Sequence, residues 1–337
     1  MIFSYKMRQF LRRLLVFLLV AALLVALALA LGSIWLRRFV IYTPQGAILN
    51  MDLPPASLPG VVPTRPEKLD VNIVYPQETV PDTFDPHTAR VNGYYITAQQ
   101  MKDDLNGLRQ QIAQLPAGTA IMLDVKSFWG YFYYSSALGP GSDNYILADI
   151  DHFIAELTQS ELYVIARLPA LRDYEYAKNN TSCGLATAKG YLWEDEKGCY
   201  WLDPTDDGTL TYLIQVTREL RDLGFDEVLF QDFYVPESTK IAFDAERKEA
   251  VETAAATLVT ACATEQFTVS FLAYRADLNI PQTNCRLYLD GVSAADVQDV
   301  LAQVSTMDKK RSVVFLAETN DTRYDVCGTL RPLELAH

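Results

Sequence analysis

Four carboxylic acids stand where apolar runs give way to polar residues: Asp124, Asp232, Asp290 and Glu318. Acids at strand ends could act in pairs. Hydrolysis of a glycosidic bond uses one carboxyl group to protonate the leaving oxygen and a second as nucleophile or base. By its strand, Asp232 is the best-placed nucleophile, with Glu318 or Asp290 as the acid opposite. Each has a plainer reading as well. Strand-end acids cap the helix that follows, Asp290-Gly291 is a turn pair in its own right, and Asp124 could simply pair with Lys126 two residues on.

The stretch Ser127-Phe-Trp-Gly-Tyr-Phe-Tyr-Tyr134 packs six aromatic residues into eight positions. Trp129, Tyr131 and Tyr134 on such a loop would suit stacking on sugar faces, since rings and sugar C–H faces are both apolar and phenols can bond to hydroxyls. A hydrophobic hairpin packed on neighbouring loops explains the same composition. Trp193, Tyr200 and Trp201, further along the chain, could line the same mouth, and Asp203-Pro204-Thr205 fits the start of a helix.

The elements that must position these groups alternate between two periods. Strand-like runs fall at 93–97, 119–125, 162–168, 227–232, 267–272, 286–289 and 312–317, with helical patterns at 99–115, 147–159, 208–223, 243–262 and 294–304. The stretch Gly224-Phe-Asp-Glu-Val-Leu-Phe-Gln-Asp-Phe-Tyr-Val-Pro236 is the plainest case: a helix-stop glycine, a buried run, then polar and aromatic residues before a proline. Strand–helix alternation implies right-handed crossovers and a parallel sheet, and seven or eight units in this length favour a closed (β/α)8 barrel. No Gly-x-Gly-x-x-Gly follows the first strand, which argues against a dinucleotide cofactor. After residue 319 no clear strand–helix pair is visible, so the barrel is expected to be incomplete or irregular at its C-terminal end.

Several of these runs, in order, resemble the putative glycoside hydrolase domain family, a bacterial barrel group related to the amylase-like barrels. They are Gly93-Tyr-Tyr-Ile-Thr97, Leu123-Asp-Val-Lys126 with Gly130 and Tyr134, Ile165-Ala-Arg167, Trp201-Leu-Asp-Pro204 and Gly224-Phe-Asp-Glu227. The likeness covers residues 91 to about 240. It implies a barrel that acts on or binds polysaccharide, with Asp124, Lys126 and Arg167 at the sugar site. In that family the fourth strand ends Phe-Asp-Tyr-Val-Arg-Phe-Pro, whereas this chain reads Phe230-Gln-Asp-Phe-Tyr-Val-Pro236. Gln231 therefore takes the carboxylate's place, the acid slips to Asp232, and Tyr234 replaces the arginine. A one-residue slip turns a strand side chain from one face to the other unless a bulge re-aims it. The fifth strand carries none of the acid that the resemblance leads one to seek.

Residues 14–36 form 23 uncharged positions, close to the roughly 20 that cross a bilayer as a helix. Lys6, Arg8, Arg12 and Arg13 precede them and only Arg37 and Arg38 follow, which predicts a cytoplasmic tail at 1–13 and an extracytoplasmic remainder on a single-pass anchor. Ala28-Leu29-Ala30 offers the alternative of a cleaved signal peptide. Nine of the 16 prolines lie between 37 and 90, a spacer in which 70–75 alternates like a strand, and 91–337 is the barrel domain. The six basic residues of the tail and span, taken from 29, leave 23 basic against 42 acidic, a net −19 that repels phosphate backbones and excludes nucleic-acid binding.

Five cysteines (183, 199, 262, 285 and 327) and three histidines (87, 152 and 337) match no zinc spacing, so no metal is expected. Cys183 and Cys199 bracket the long loop after the third strand and could form a disulfide in an oxidising compartment. Two functions follow. One is a membrane-anchored glycoside hydrolase facing the envelope or its surroundings, and the other is a barrel of the same lineage that has lost its acids and binds glycan or an envelope protein.

Overall fold

The computed structural model describes residues 40–43, 46–49, 90–139, 145–273, 276–305 and 308–334. Eight parallel strands close into a barrel: β1 (Asn92–Ile96), β2 (Ala120–Asp124), β3 (Tyr163–Pro169), β4 (Glu227–Gln231), β5 (Thr268–Leu272), β6 (Leu287–Asp290), β7 (Val313–Leu316) and β8 (Gly328–Pro332). Each pairs with its neighbours in sequence, and β8 returns to β1 through Thr329 opposite Asn92 and Leu330 opposite Gly93. The crossovers carry α1 (Ala98–Ile112), α2 (Ile150–Thr158), α3 (Tyr174–Asn179), α4 (Asp207–Asp222), α5 (Arg247–Cys262), α6 (Val297–Gln303) and the single turn α7 (Lys309–Ser312).

The helices begin where the chain supplies a cap. Thr97 and Gln100 form a reciprocal capping box at α1, and the Asp206 carboxylate accepts from Thr209 N at 3.0 Å to open α4. The strands are buried on both faces. Ala120, Met122, Ile165, Leu229, Tyr288, Val314 and Leu330 pack together in the lumen, while Ile121, Val164, Val228 and Phe230 belong to the larger apolar layer beneath the helices. Such two-sided burial is why the strands read as continuous apolar runs.

The barrel is closed, which corrects the expectation of an incomplete C-terminal end. Its last unit is irregular in connection only: a 3-10 turn, Thr322–Val326, stands where a crossover helix would run. Strand β8 is Gly-Thr-Leu-Arg-Pro, with too few apolar residues to signal itself, and it is held by β7 on one side and β1 on the other. A Cβ at Gly328 would lie 2.9 Å from the Val91 carbonyl oxygen and 3.0 Å from a Val314 methyl, so this close approach needs glycine.

Ahead of the barrel, and in a separate unit of the chain, Val40–Thr43 and Gly46–Leu49 form an antiparallel hairpin within what the sequence reads as an extended spacer. The span at 14–36 and the strand expected at 70–75 lie outside the described residues. Among those described, no helix is long and apolar enough to cross a membrane.

Candidate functional site at the barrel mouth

Alternation along each strand decides which side chains reach the mouth at the C-terminal end. Because Met122 and Ile165 face the lumen, so do Asp124 at the end of β2 and Arg167 on β3. By the same parity Leu229 brings Gln231 inward, Tyr288 brings Asp290, and Leu316 brings Glu318. Tyr95 and Leu272 pack against the lumen cluster and complete the first and fifth staves.

Asp124 and Arg167 form the polar centre. Arg167 Nε donates to Asp124 Oδ1 at 2.6 Å, and the second carboxylate oxygen accepts from Ala98 N at 3.1 Å, at the start of α1. Both Asp124 oxygens are thereby committed to protein donors, which fits a positioning residue better than a catalytic acid. Among the described residues no acceptor takes the outer nitrogens of the Arg167 guanidinium. Its carbon sits 5.5 Å from the centre of the Tyr95 ring. Burial, followed by the negative charge of Glu318, raises the Tyr95 phenol, while Arg167 opposes the shift and Asp290 adds to it. Tyr95 thus has Glu318, Asp290 and Arg167 all within electrostatic reach. Asp290 and Glu318 are exposed, and one Asp290 oxygen accepts from Gly291 N at 2.8 Å, the turn role open to it from sequence.

Asp232 stands apart from this group. It follows β4 with φ at 51°, in the left-handed region that costs energy for a residue with a side chain. Its carboxyl is raised by burial, an effect opposed by Arg172 and reinforced by Asp195. Those neighbours belong to the loop after β3, so Asp232 is not among the acids gathered around Tyr95. By alternation from Leu229, Gln231 is the lumen position at the end of β4, and Leu272, which packs against the lumen cluster, is that of β5.

Three further expectations change. Lys126 was expected at the sugar site, but the chain leaves the sheet after Asp124 and turns into a hairpin through the Lys126–Phe132 bridge. Its side chain is wholly buried against the Asp173 carboxylate, away from Asp124. Tyr134, 1% exposed, packs edge-on to Phe132 and donates to Glu219 at 3.4 Å. Trp201, 3% exposed, donates its indole N–H to Asp195 at 3.0 Å. None of the three can touch a glycan in this arrangement, because a large or charged group in the core is satisfied there by internal partners.

Cys183 and Cys199 are free and buried. The Cys199 thiol faces the Phe128 carbonyl at 3.2 Å, and burial pushes it up to about 12. What pins the long loop is the Asp195 carboxylate. It accepts from Trp201 Nε1, Lys197 N at 2.9 Å and Cys199 N at 3.0 Å, and pairs with Arg172 at 2.6 Å. Burial works against this charge, but the hydrogen bonds, led by that of Trp201, hold it below the ordinary carboxylate range.

Trp129 and Tyr131 remain at the surface of the β2 loop, Trp129 being 38% exposed. Tyr234 packs edge-on to Trp201 at 4.9 Å and borders a cleft of about 750 Å³ outside β4, shared with Glu237, Arg247 and Asp277. No group of histidine, cysteine and acidic side chains suited to a metal occurs among the described residues. Sequence reading missed Tyr95, Arg172 and Asp195. Only the first left a signal, two residues after Gly93 on an alternating strand.

A family model described as "putative glycosyl hydrolase domain" matches residues 93–279. Among solved structures, the chain is similar to a GH36 α-galactosidase from Geobacillus stearothermophilus, with 12% identity and a TM-score of 0.50, over 74% of this chain and 40% of that one. It is also similar to an α-galactosidase from Lactobacillus brevis (12% identity, TM-score 0.49, 74% and 38% covered). A hypothetical protein from Ruminiclostridium thermocellum shares 22% identity, with a TM-score of 0.43 over 53% of this chain and 96% of that one. The chain thus spans about two fifths of the galactosidases it matches. No curated protein matches it.

Proposed function

The chain belongs to the putative glycosyl hydrolase domain family, and from that premise we propose that it binds polysaccharide in the barrel mouth without cleaving it. One observation carries the reading: by strand alternation the lumen positions at the ends of β4 and β5 are Gln231 and Leu272, so neither of these two positions supplies a carboxyl group. A bond held between Arg167 and these two residues has a hydrogen-bonding amide and an apolar wall beside it, and neither of those two side chains can serve as proton donor or nucleophile. Arg167 is the ligand-facing donor in this reading. Asp124 holds its Nε and orients it, and the outer nitrogens are left to accept-rich sugar hydroxyls.

Asp290 and Glu318, both exposed at the β6 and β7 side, support a second reading in which they hydrolyse the bond themselves. One set of assays decides. Soluble polysaccharides are screened by calorimetry and by release of reducing ends. Arg167→Ala is expected to weaken binding about 10- to 100-fold, the range for losing a hydrogen bond from a charged donor. Wild-type release of reducing ends that disappears in Glu318→Gln would overturn the non-hydrolytic reading.

The same proposal sets the barrel outside the cytoplasm on the apolar span at 14–36, on the strength of its length and the basic residues that precede it. The full chain is then expected in the membrane fraction, with the barrel open to protease added to intact cells. Protection from the protease would reverse the orientation.

A further inference from the structure

The β2 loop does more than place aromatic residues on the surface; hydrogen bonds tie it to the start of α3. Ser127 N donates to Tyr131 O at 2.9 Å to close a short hairpin. Tyr174 N and Glu175 N, at the start of α3, donate to Phe128 O and Trp129 O at 3.1 and 3.2 Å and fasten its tip. Gly130 sits there at φ 90°, and a Cβ on it would lie 2.5 Å from Asp173 Oδ1 and 3.1 Å from Glu175 N, so no side chain fits between the hairpin and the start of the helix.

Two sets of rings rest on this clamp. Trp129 meets Tyr174 edge-on at 5.5 Å, and Tyr174 is stacked on Tyr200 at 4.9 Å. On the other side Tyr131 is stacked on Tyr145 at 3.6 Å, and its hydroxyl donates to Glu175 at 3.4 Å. The outward ends of the two sets are Trp129, 38% exposed, and Tyr145, 44% exposed. Single exposed aromatics need no explanation. Two buttressed ones on the loops at the functional end of a barrel leave apolar surface in water that ordering has already been spent on. Glu175 and Lys178 lie between and beside them as polar partners for hydroxyl groups.

We propose that Trp129 and Tyr145, on their stacked supports, form a rim platform that holds a polysaccharide chain over several sugar units outside the mouth. The inference rests on the glycan-binding reading above and adds the class of ligand: an extended polymer, taken along its length, in preference to a mono- or disaccharide. Flat rings suit the apolar faces of successive sugars, and a preformed platform binds without the cost of ordering its side chains.

The test uses the polysaccharide that binds in the screen and its partial hydrolysate separated by length. For the wild type, affinity is expected to climb with chain length. Trp129→Ala is expected to lose about tenfold in affinity for chains of four or more units and to leave mono- and disaccharide binding unchanged, a tenfold change being within reach of one lost ring contact. Trp129→Phe should recover part of the loss. Since Trp193 and Trp201 are buried, binding of long chains should also alter tryptophan fluorescence in the wild type and not in Trp129→Ala. Arg167→Ala weakens all lengths alike. Affinity that does not depend on chain length, or long-chain affinity in Trp129→Ala equal to that of the wild type, overturns the platform and spares the mouth. Failure of every glycan to bind overturns both.

Discussion

Replacing Arg286 with methionine is expected to cost about 3–5 kcal/mol of stability, the range for leaving a buried charge without its partner. Glu227 lies in the lumen with its side chain wholly buried, and Arg286 forms the ion pair that neutralises it. The Tyr163 hydroxyl donates to the same Glu227 oxygen at 2.9 Å, and Arg286 Nη1 also lies 2.8 Å from that hydroxyl. Burial pushes the Tyr163 phenol well above its ordinary value and the Glu227 charge adds to it, so the phenol stays protonated as a donor. Without Arg286 the carboxylate keeps the neutral Tyr163 hydroxyl as a donor, in a lumen lined by buried apolar side chains. The pair itself is not expected to be strongly stabilising. Glu227→Gln with Arg286→Met should recover most of the loss, because two desolvated charges are removed together. Urea unfolding of the single and double variants measures this. A single variant within about 1 kcal/mol of wild type would show that the Tyr163 phenol suffices for the carboxylate.

Asp173→Ala should be comparably damaging, by about 3–5 kcal/mol, and for a reason that reaches the surface. Its carboxylate takes the Lys126 ammonium, accepts from the Tyr212 hydroxyl at 3.0 Å and caps α3 by accepting from Tyr176 N at 3.0 Å. With the acid gone, Lys126 is left between the rings of Phe132 and Tyr212, at 5.6 and 5.4 Å, with the Pro169 carbonyl 3.5 Å away. Asp173 is also the atom group against which Gly130 is fitted, so the hairpin that carries Trp129 loses its seat. Thermal unfolding reads the stability loss. A wild-type midpoint in Asp173→Ala would mean that Lys126 finds water or another acceptor, and that the network is not what clamps the loop.

These two networks mark the boundary of what sequence can reveal. Strand–helix alternation was enough to specify a parallel barrel, because burial on two faces writes each strand as an apolar run and each helix as a periodic one. It also exposed the slip at β4: local alternation puts Gln231 at a lumen position, and Asp232 follows it in the left-handed region, where the strand period ends. The mouth acids Asp124, Asp290 and Glu318 were legible as strand ends for the same reason.

Pairing across the barrel was not legible. Lys126 and Arg167 are both basic residues near strand ends, yet one is sealed beneath α4 and the other faces the mouth. That division depends on where the chain leaves the sheet, which is set by a hairpin and by Asp173, 47 residues away. Trp129, Tyr134 and Trp201 are alike in composition, and only packing sorts the exposed ring from the two buried ones. β8 carries too few apolar residues to announce itself and exists because β7 and β1 both offer it an edge. The bracketing cysteines suggested a disulfide, but the loop is held by Asp195, whose donors come together only once the loop is folded. Local periodicity is a property of neighbouring residues and survives in the sequence. Charge partners, edge pairing and exposure are long-range, and tertiary structure alone decides them.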